Sequence, residues 1–346
     1  MRVLGGRLVG GGFAGGLGGA VAGLLGIALF ASGCGGDDRP NEPETLLPLR
    51  RVTPGDVVGL AADDARGVLS WLHRTDGTIH EVALDDEEPI VVATIDVGTT
   101  SQQGGLLDQA LLPAGIRVLT WTTPHSNELV LGTLDPGADR PDIVWSAGEA
   151  GDGAIGGRLD VTDDGAVLLG LGRNTAWDAE TDAGGAILRF PDGQLADEPI
   201  VLSTGYTNPW AIEAVATADP DDPGGPDAVW VWDNAAGPDP DDTAQDDVER
   251  IGRADLEADR NSMTRSTVPD RAPTAIVELP DGRLGVCGFL DNELRAYERS
   301  DDPASSELER AGTIMPCNAG AAVFADGTIV TAAQTVDGES LQILRP

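Results

Sequence analysis

GAIGGRLDVTDDGAVLLGLG, residues 153–172, decides the fold. Two apolar runs flank Asp163-Asp164-Gly165, and a glycine pair opens the first of them. Asp-Gly between alternating apolar residues is a hairpin signal, because glycine supplies the positive φ that a tight turn needs. The stretch therefore reads as strand, turn, strand. The same pattern recurs outward along the chain. It is found at RTDGTIHEVAL (74–84), FPDGQL (190–195), PDGRLGVCGF (280–289) and ADGTIVTAAQ (325–334). Repeated hairpins with almost no helical periodicity predict an all-β body. A length of roughly 300 residues at about 50 per blade fits a six-bladed β-propeller of four-stranded antiparallel blades. A β-sandwich is the runner-up; it is usually shorter and does not account for similar hairpins continuing to the C-terminus.

Composition excludes one class of partner. The chain carries 58 acidic and 22 basic residues, a net charge of -36, and no lysine at all. Phosphate backbones require a cationic surface, so nucleic acid is not a partner.

The first 33 residues read as a processing segment. Arg2 and Arg7 precede an apolar, glycine-rich run from Val9 to Phe30, which ends in Ala31-Ser32-Gly33-Cys34. Small residues leading into a cysteine resemble a bacterial lipobox. That resemblance implies cleavage before Cys34 and a diacylglycerol on its thiol. The alternative is an uncleaved membrane helix, since about 20 apolar residues span a bilayer, although the glycines lower helix propensity. Residues 34–49, with several prolines and few large apolar groups, read as a flexible acidic tether. The propeller is then assigned to residues 50–346, held by lipid at a bacterial cell envelope on a periplasmic or external surface. Cys287 and Cys317 remain, and two readings stay open for them: a disulfide, suited to an oxidising compartment, or two small buried apolar side chains.

The acidic loops 219–227 and 237–247 interrupt the hairpin pattern on either side of Ala228-Val229-Trp230-Val231-Trp232. Such loops are usually solvated. The second nevertheless concentrates Asp239, Asp241, Asp242, Asp246 and Asp247, hard oxygen donors of the kind calcium takes.

The order of segments carries a resemblance. SWLHRTDGTIHEV (70–82), SQQGGLLDQALLP (101–113), GGRLDVTDDGAVLLGLG (156–172), GGAILRFPDG (184–193), GYTNPWAI (205–212) and GPDPDDTAQDDVERI (237–251) together resemble the soluble glucose/sorbosone dehydrogenases. These are propellers that oxidise sugars with pyrroloquinoline quinone (PQQ) and calcium. The resemblance implies that Gln103 lines a substrate pocket and that Asn208 contacts the quinone. It also implies that Gly237 and Pro238 hold calcium through their carbonyls, and that Asp246 and Asp247 belong to a further calcium loop. Each of these also has an ordinary role in turn or loop chemistry.

The departures fall on the reacting groups. Ala154 stands where the family has its general-base histidine, so no catalytic residue is assigned. Thr207, Cys317 and Ala319 stand in or near places where the family has arginines, and a quinone-binding lysine is absent. His73, His80 and His125 align with no base. The expectation is a lipid-anchored propeller that has lost its base and its quinone-binding cations. It would bind a sugar or other small polar ligand, or act as an envelope interaction protein. The alternative is an active PQQ- and calcium-dependent sugar dehydrogenase with a rearranged site.

Overall fold

The computed structural model describes residues 42–49, 56–86, 88–100, 103–151, 153–174, 185–191, 195, 198–215, 228–234, 250–255, 264–267, 272–300, 308–335 and 338–346. Among the described residues, apart from one short 3-10 turn at Pro113–Gly115, the regular elements are strands. They form six four-stranded antiparallel sheets. In chain order the first holds β2 to β5 (Val57–Asp63, Val68–His73, Thr78–Ala83, Ile90–Thr94). The second holds β6 to β9 (Leu106–Leu111, Arg117–Thr122, Glu128–Leu134, Asp142–Glu149). The third holds β10 to β13 (Gly156–Val161, Val167–Leu171, Ala186–Phe190, Ile200–Thr204), and the fourth β14 to β17 (Pro209–Val215, Ala228–Asp233, Arg250–Asp255, Thr264–Thr267). The fifth holds β18 to β21 (Pro273–Glu278, Leu284–Gly288, Glu293–Arg299, Leu308–Met315). The last combines β22 to β24 (Gly320–Val323, Ile329–Thr335, Gly338–Leu344) with β1 (Glu44–Leu49).

The first strands touch in succession, β2 to β6, β10, β14, β18 and β22, and β22 returns to β2. That closed sequence of inner strands is a β-propeller. One apolar cluster fills the seam between each pair of neighbouring sheets. Between the last sheet and the first, for example, Leu47, Phe324 and Leu341 meet Leu69 and Trp71.

The stretch at 153–172 folds as read, with β10 and β11 joined by the Asp164-Gly165 turn. Its glycine pair has a physical cause. Gly156 and Gly157 both have positive φ (69° and 78°) where the pairing register shifts. A Cβ on Gly157 would also lie 2.5 Å from Leu107 Cδ1 across the seam. The Asp-Gly pairs at 76–77, 281–282 and 326–327 likewise join consecutive strands. The pair at 192–193 lies outside the described residues.

Part of the stretch assigned to a flexible tether, residues 34–49, is instead a strand. Glu44–Leu49 is β1, antiparallel to β24. The stretch is proline-bearing, but Leu47 and Leu49 are buried in the closing seam, with Leu46 packed against it. Pro48 is tolerated because β1 is an edge strand. The final sheet thus draws on both ends of the described chain, which fastens the ring.

Candidate functional site

Two cavities lie at opposite ends of the inner strands. The smaller, about 330 Å³, sits at their leading ends. The larger, about 790 Å³, sits at their trailing ends. Arg158, Trp210, Thr274 and Ala319 line both.

The topology explains the smaller cavity. Inner strands begin there, and second strands, running antiparallel, end there. Asn208 therefore arrives just before β14 and Asn318 just before β22, while Arg74 follows β3 and Asn234 follows β15. Asp233, the last residue of β15, fixes the loop before β14: its carboxylate accepts the backbone N–H of Thr207 at 2.9 Å and of Asn208 at 2.5 Å. Asn208 and Asn318 are only 4% and 3% exposed, and the amide oxygen of each has no hydrogen-bond partner. Arg158 is 5% exposed. Its Nη1 donates to the Leu107 carbonyl at 2.8 Å, its guanidinium lies 4.2 Å over the Trp210 ring, and its Nε has no partner. Burial pulls its pKa down and the charge of Asp108 opposes that.

Of the residues singled out in sequence, Gln103, Asn208 and Ala319 meet in this cavity, beside Asn318. Gln103 is partly committed to structure, since its Oε1 accepts the Ile155 N–H at 2.8 Å and so ties two leading loops together. Ala154 is buried at 5% exposure beside it and does not line the cavity. Cys317 is held in the seam between the fifth and last sheets, disulfide-bonded to Cys287. Cys34, Gly237, Pro238, Asp239, Asp241, Asp242, Asp246 and Asp247 lie outside the described residues. His73 and His80 pack on each other with ring centroids 4.3 Å apart, and His80 also stacks on Trp71. Burial lowers the pKa of both, and His73 helps bring His80 down to about 4. His125 is exposed. None of the three lines either cavity.

The matched positions do lack arginine, yet Arg74 and Arg158 line the same cavity from other elements. In sequence, Arg158 within GGRLDV is a single cation in a strand, and nothing local marks it as buried.

The larger cavity is acidic, and its carboxylates stitch the sheets together. Asp108 on β6 accepts the N–H of Leu159 on β10 at 2.9 Å, and Asp160 on β10 accepts that of Ala214 on β14. Glu213 on β14 accepts that of Glu278 on β18 at 2.8 Å, and Asp64 accepts that of Ala325 at 2.7 Å. Burial pushes Asp160 up to about 7, with Asp108 and Asp163 adding to it, and drives Glu213 well above the usual carboxylate range. Among the described residues no three His, Cys, Asp or Glu side chains converge to hold a metal ion.

A pH dependence follows. With Asp160 near 7 when folded and near 4 when unfolded, the folded chain holds a proton that the unfolded chain releases between those values. Stability is therefore greatest at the acid end of that window and falls as pH rises through it, by at most about 1.4 kcal/mol per pH unit per group. Asp160→Asn keeps an oxygen for the Ala214 N–H and removes the titration. Urea midpoints measured from pH 5 to 8 should fall less steeply in Asp160→Asn than in wild type; equal slopes would refute this assignment.

No protein-family model and no curated protein matches the chain in sequence. Solved structures match it in shape. The PQQ-bound aldose sugar dehydrogenase of Streptomyces coelicolor superposes with a TM-score of 0.63 at 17% identity, over 88% of this chain and 98% of that one. The apo-form soluble aldose sugar dehydrogenase of Escherichia coli gives 0.65 at 14%, over 88% and 99%. The chain has the fold of the sugar dehydrogenase propellers. A gluconolactonase from Xanthomonas campestris also matches, with a TM-score of 0.54 at 11% identity over 85% of this chain and 88% of that one. The dehydrogenase-type fold thus extends to proteins named for different chemistry, and function has to be argued from the site.

Proposed function

We propose that this chain is an exported, lipid-anchored propeller, each of its six sheets one blade, which binds a small polar ligand at the leading ends of its inner strands and does not oxidise it. The make-up of the cavity carries the reading. Its described lining offers guanidiniums and amides but no imidazole and no carboxylate. Sugar oxidation begins by taking a proton from a hydroxyl, and a positioned base is typically worth about 10²- to 10⁴-fold in rate.

The residues present do not fit PQQ well. Its three carboxylates need compensating cations in a partly dry site. The cavity has two guanidiniums for three carboxylates, and the Arg158 Nη1 is already spent on the Leu107 carbonyl. Arg74 and Arg158 are also what favours the alternative, a PQQ- and calcium-dependent dehydrogenase with a rearranged site, because they restore charge that the matched positions lack. The Cys287–Cys317 disulfide supports an oxidising compartment, hence export, with Cys34 as the lipid-bearing residue.

One experiment addresses the chemistry. The full chain is titrated with PQQ in calcium and in chelator, then mixed with aldoses and an electron-accepting dye. No sugar-dependent dye reduction is expected in either condition, and its appearance would overturn the non-catalytic reading. Fatty-acid labelling that persists in Cys34→Ala would overturn the anchor.

A further inference from the structure

We infer that the smaller cavity takes a sugar acid, a polyhydroxylated molecule carrying a single carboxylate. The inference rests on the binding role proposed above and names the ligand class for it.

Charge is the first observation. In a chain at -36, the described lining of this cavity holds two arginines and no acidic side chain. A local positive site within a strongly negative molecule selects an anion, and the acid-lined cavity at the opposite end underlines the contrast. Arg158 is fixed, with its Nη1 spent on the Leu107 carbonyl and its plane held over Trp210. Its Nε is left without an acceptor at 5% exposure. A buried guanidinium with a donor unspent is best answered by a carboxylate, the acceptor whose fork matches it.

Hydroxyl groups answer the second observation. Asn208 and Asn318, each more than nine-tenths buried, reach the cavity with amide oxygens that have no partner. The Asn234 oxygen is in the same position, while its Nδ2 donates to the Pro273 carbonyl at 3.3 Å. That bond sets the orientation of the Asn234 amide. For the other two, either orientation leaves a buried group that lacks a partner, and a hydroxyl serves both because it donates and accepts. Unanswered buried polar groups are costly, so a ligand rich in hydroxyls gains most here.

Size and number complete the class. A cavity of about 330 Å³ suits a molecule of single-sugar size. One carboxylate is the complement, because Arg158 has its Nη1 spent on the Leu107 carbonyl and its Nε as the donor left without a partner.

The test is calorimetric titration of the full chain with gluconate, glucose and acetate. Gluconate should bind saturably and at least about tenfold more tightly than either of the others, as expected for a charge-assisted contact added to a hydroxyl network. Arg74→Gln should weaken gluconate by about tenfold or more while leaving glucose within about twofold. Asn318→Asp, which sets a negative charge in the same wall, should do the same and serves if Arg74→Gln does not fold. Glucose binding as tightly as gluconate would overturn the sugar-acid inference while the binding role stands. Acetate matching gluconate would overturn it in favour of a bare carboxylate site. Binding of none of the three would overturn the inference and the binding role together.

Discussion

Replacing Glu81 by leucine is expected to lower the stability of the folded chain by about 3–5 kcal/mol, the cost of leaving a buried charge without its partner. Glu81, on β4 of the first sheet, faces Arg117, on β7 of the second, with Oε1 2.6 Å from Nη2. The two are 7% and 5% exposed. Arg117 Nη1 donates to Ser70 Oγ at 2.7 Å and to Gln109 Oε1, and Gln109 in turn donates to the Gly59 carbonyl at 2.5 Å. These bonds cross one seam of the ring. Arg66 approaches Glu81 from the solvent side at 2.8 Å, but its side chain is 49% exposed, and such pairs contribute little. Burial already lowers the Arg117 pKa, with Glu81 opposing that shift, so removing Glu81 leaves the guanidinium with only neutral acceptors. Glu81→Leu with Arg117→Met should recover most of the loss, since replacing both members of a buried pair by apolar groups is often nearly neutral. Urea unfolding of the wild type, the single variant and the double variant decides. A double variant as unstable as the single one would show that the network acts through packing rather than charge.

The two sides of this ion pair also show what the sequence made legible. Hairpins could be read because an Asp-Gly turn has a local cause, and four of the five such pairs join strands among the described residues. Gln103, Asn208 and Ala319 could be named because the order of the segments carried them; all three line the smaller cavity, and Asn318, which the segments did not single out, lines it beside them. Long-range closure left no comparable trace. β1 is a short strand with a proline, and its partner β24 is at the other end of the chain. Arg74 and Arg158 were missed for a related reason. A cation after a strand, or amid an alternating run, reads as a solvated face until the ring brings second-strand ends beside inner-strand starts. Asp108, Asp160 and Glu213 carry no local mark of their role, which is to bond the backbone of the next sheet.

Severing the Cys287–Cys317 disulfide is expected to cost roughly 3–4 kcal/mol, the loop-closure value for a link across some thirty residues. Both cysteines are fully buried in the seam between the fifth and last sheets, Cys287 on β19 and Cys317 in the loop that leads into β22. That loop continues into Asn318 and Ala319, which form one wall of the smaller cavity. The bond therefore restrains a seam and one wall of the smaller cavity together. Cys287→Ala with Cys317→Ala removes it without adding a buried polar group, and the vacated volume in an apolar seam adds its own penalty. A lower urea midpoint is expected for the double variant, and the wild type in reducing agent should move towards it. The second effect is local. With the cross-link gone, Asn318 keeps its backbone bond to the Ala332 carbonyl at 2.9 Å but loses the covalent tie one residue away. Ligand affinity at the smaller cavity should then fall even under conditions where the chain remains folded. An unchanged urea midpoint in the double variant would show that the seam is held by its apolar packing alone, through Val277, Leu294, Met315 and Ile329.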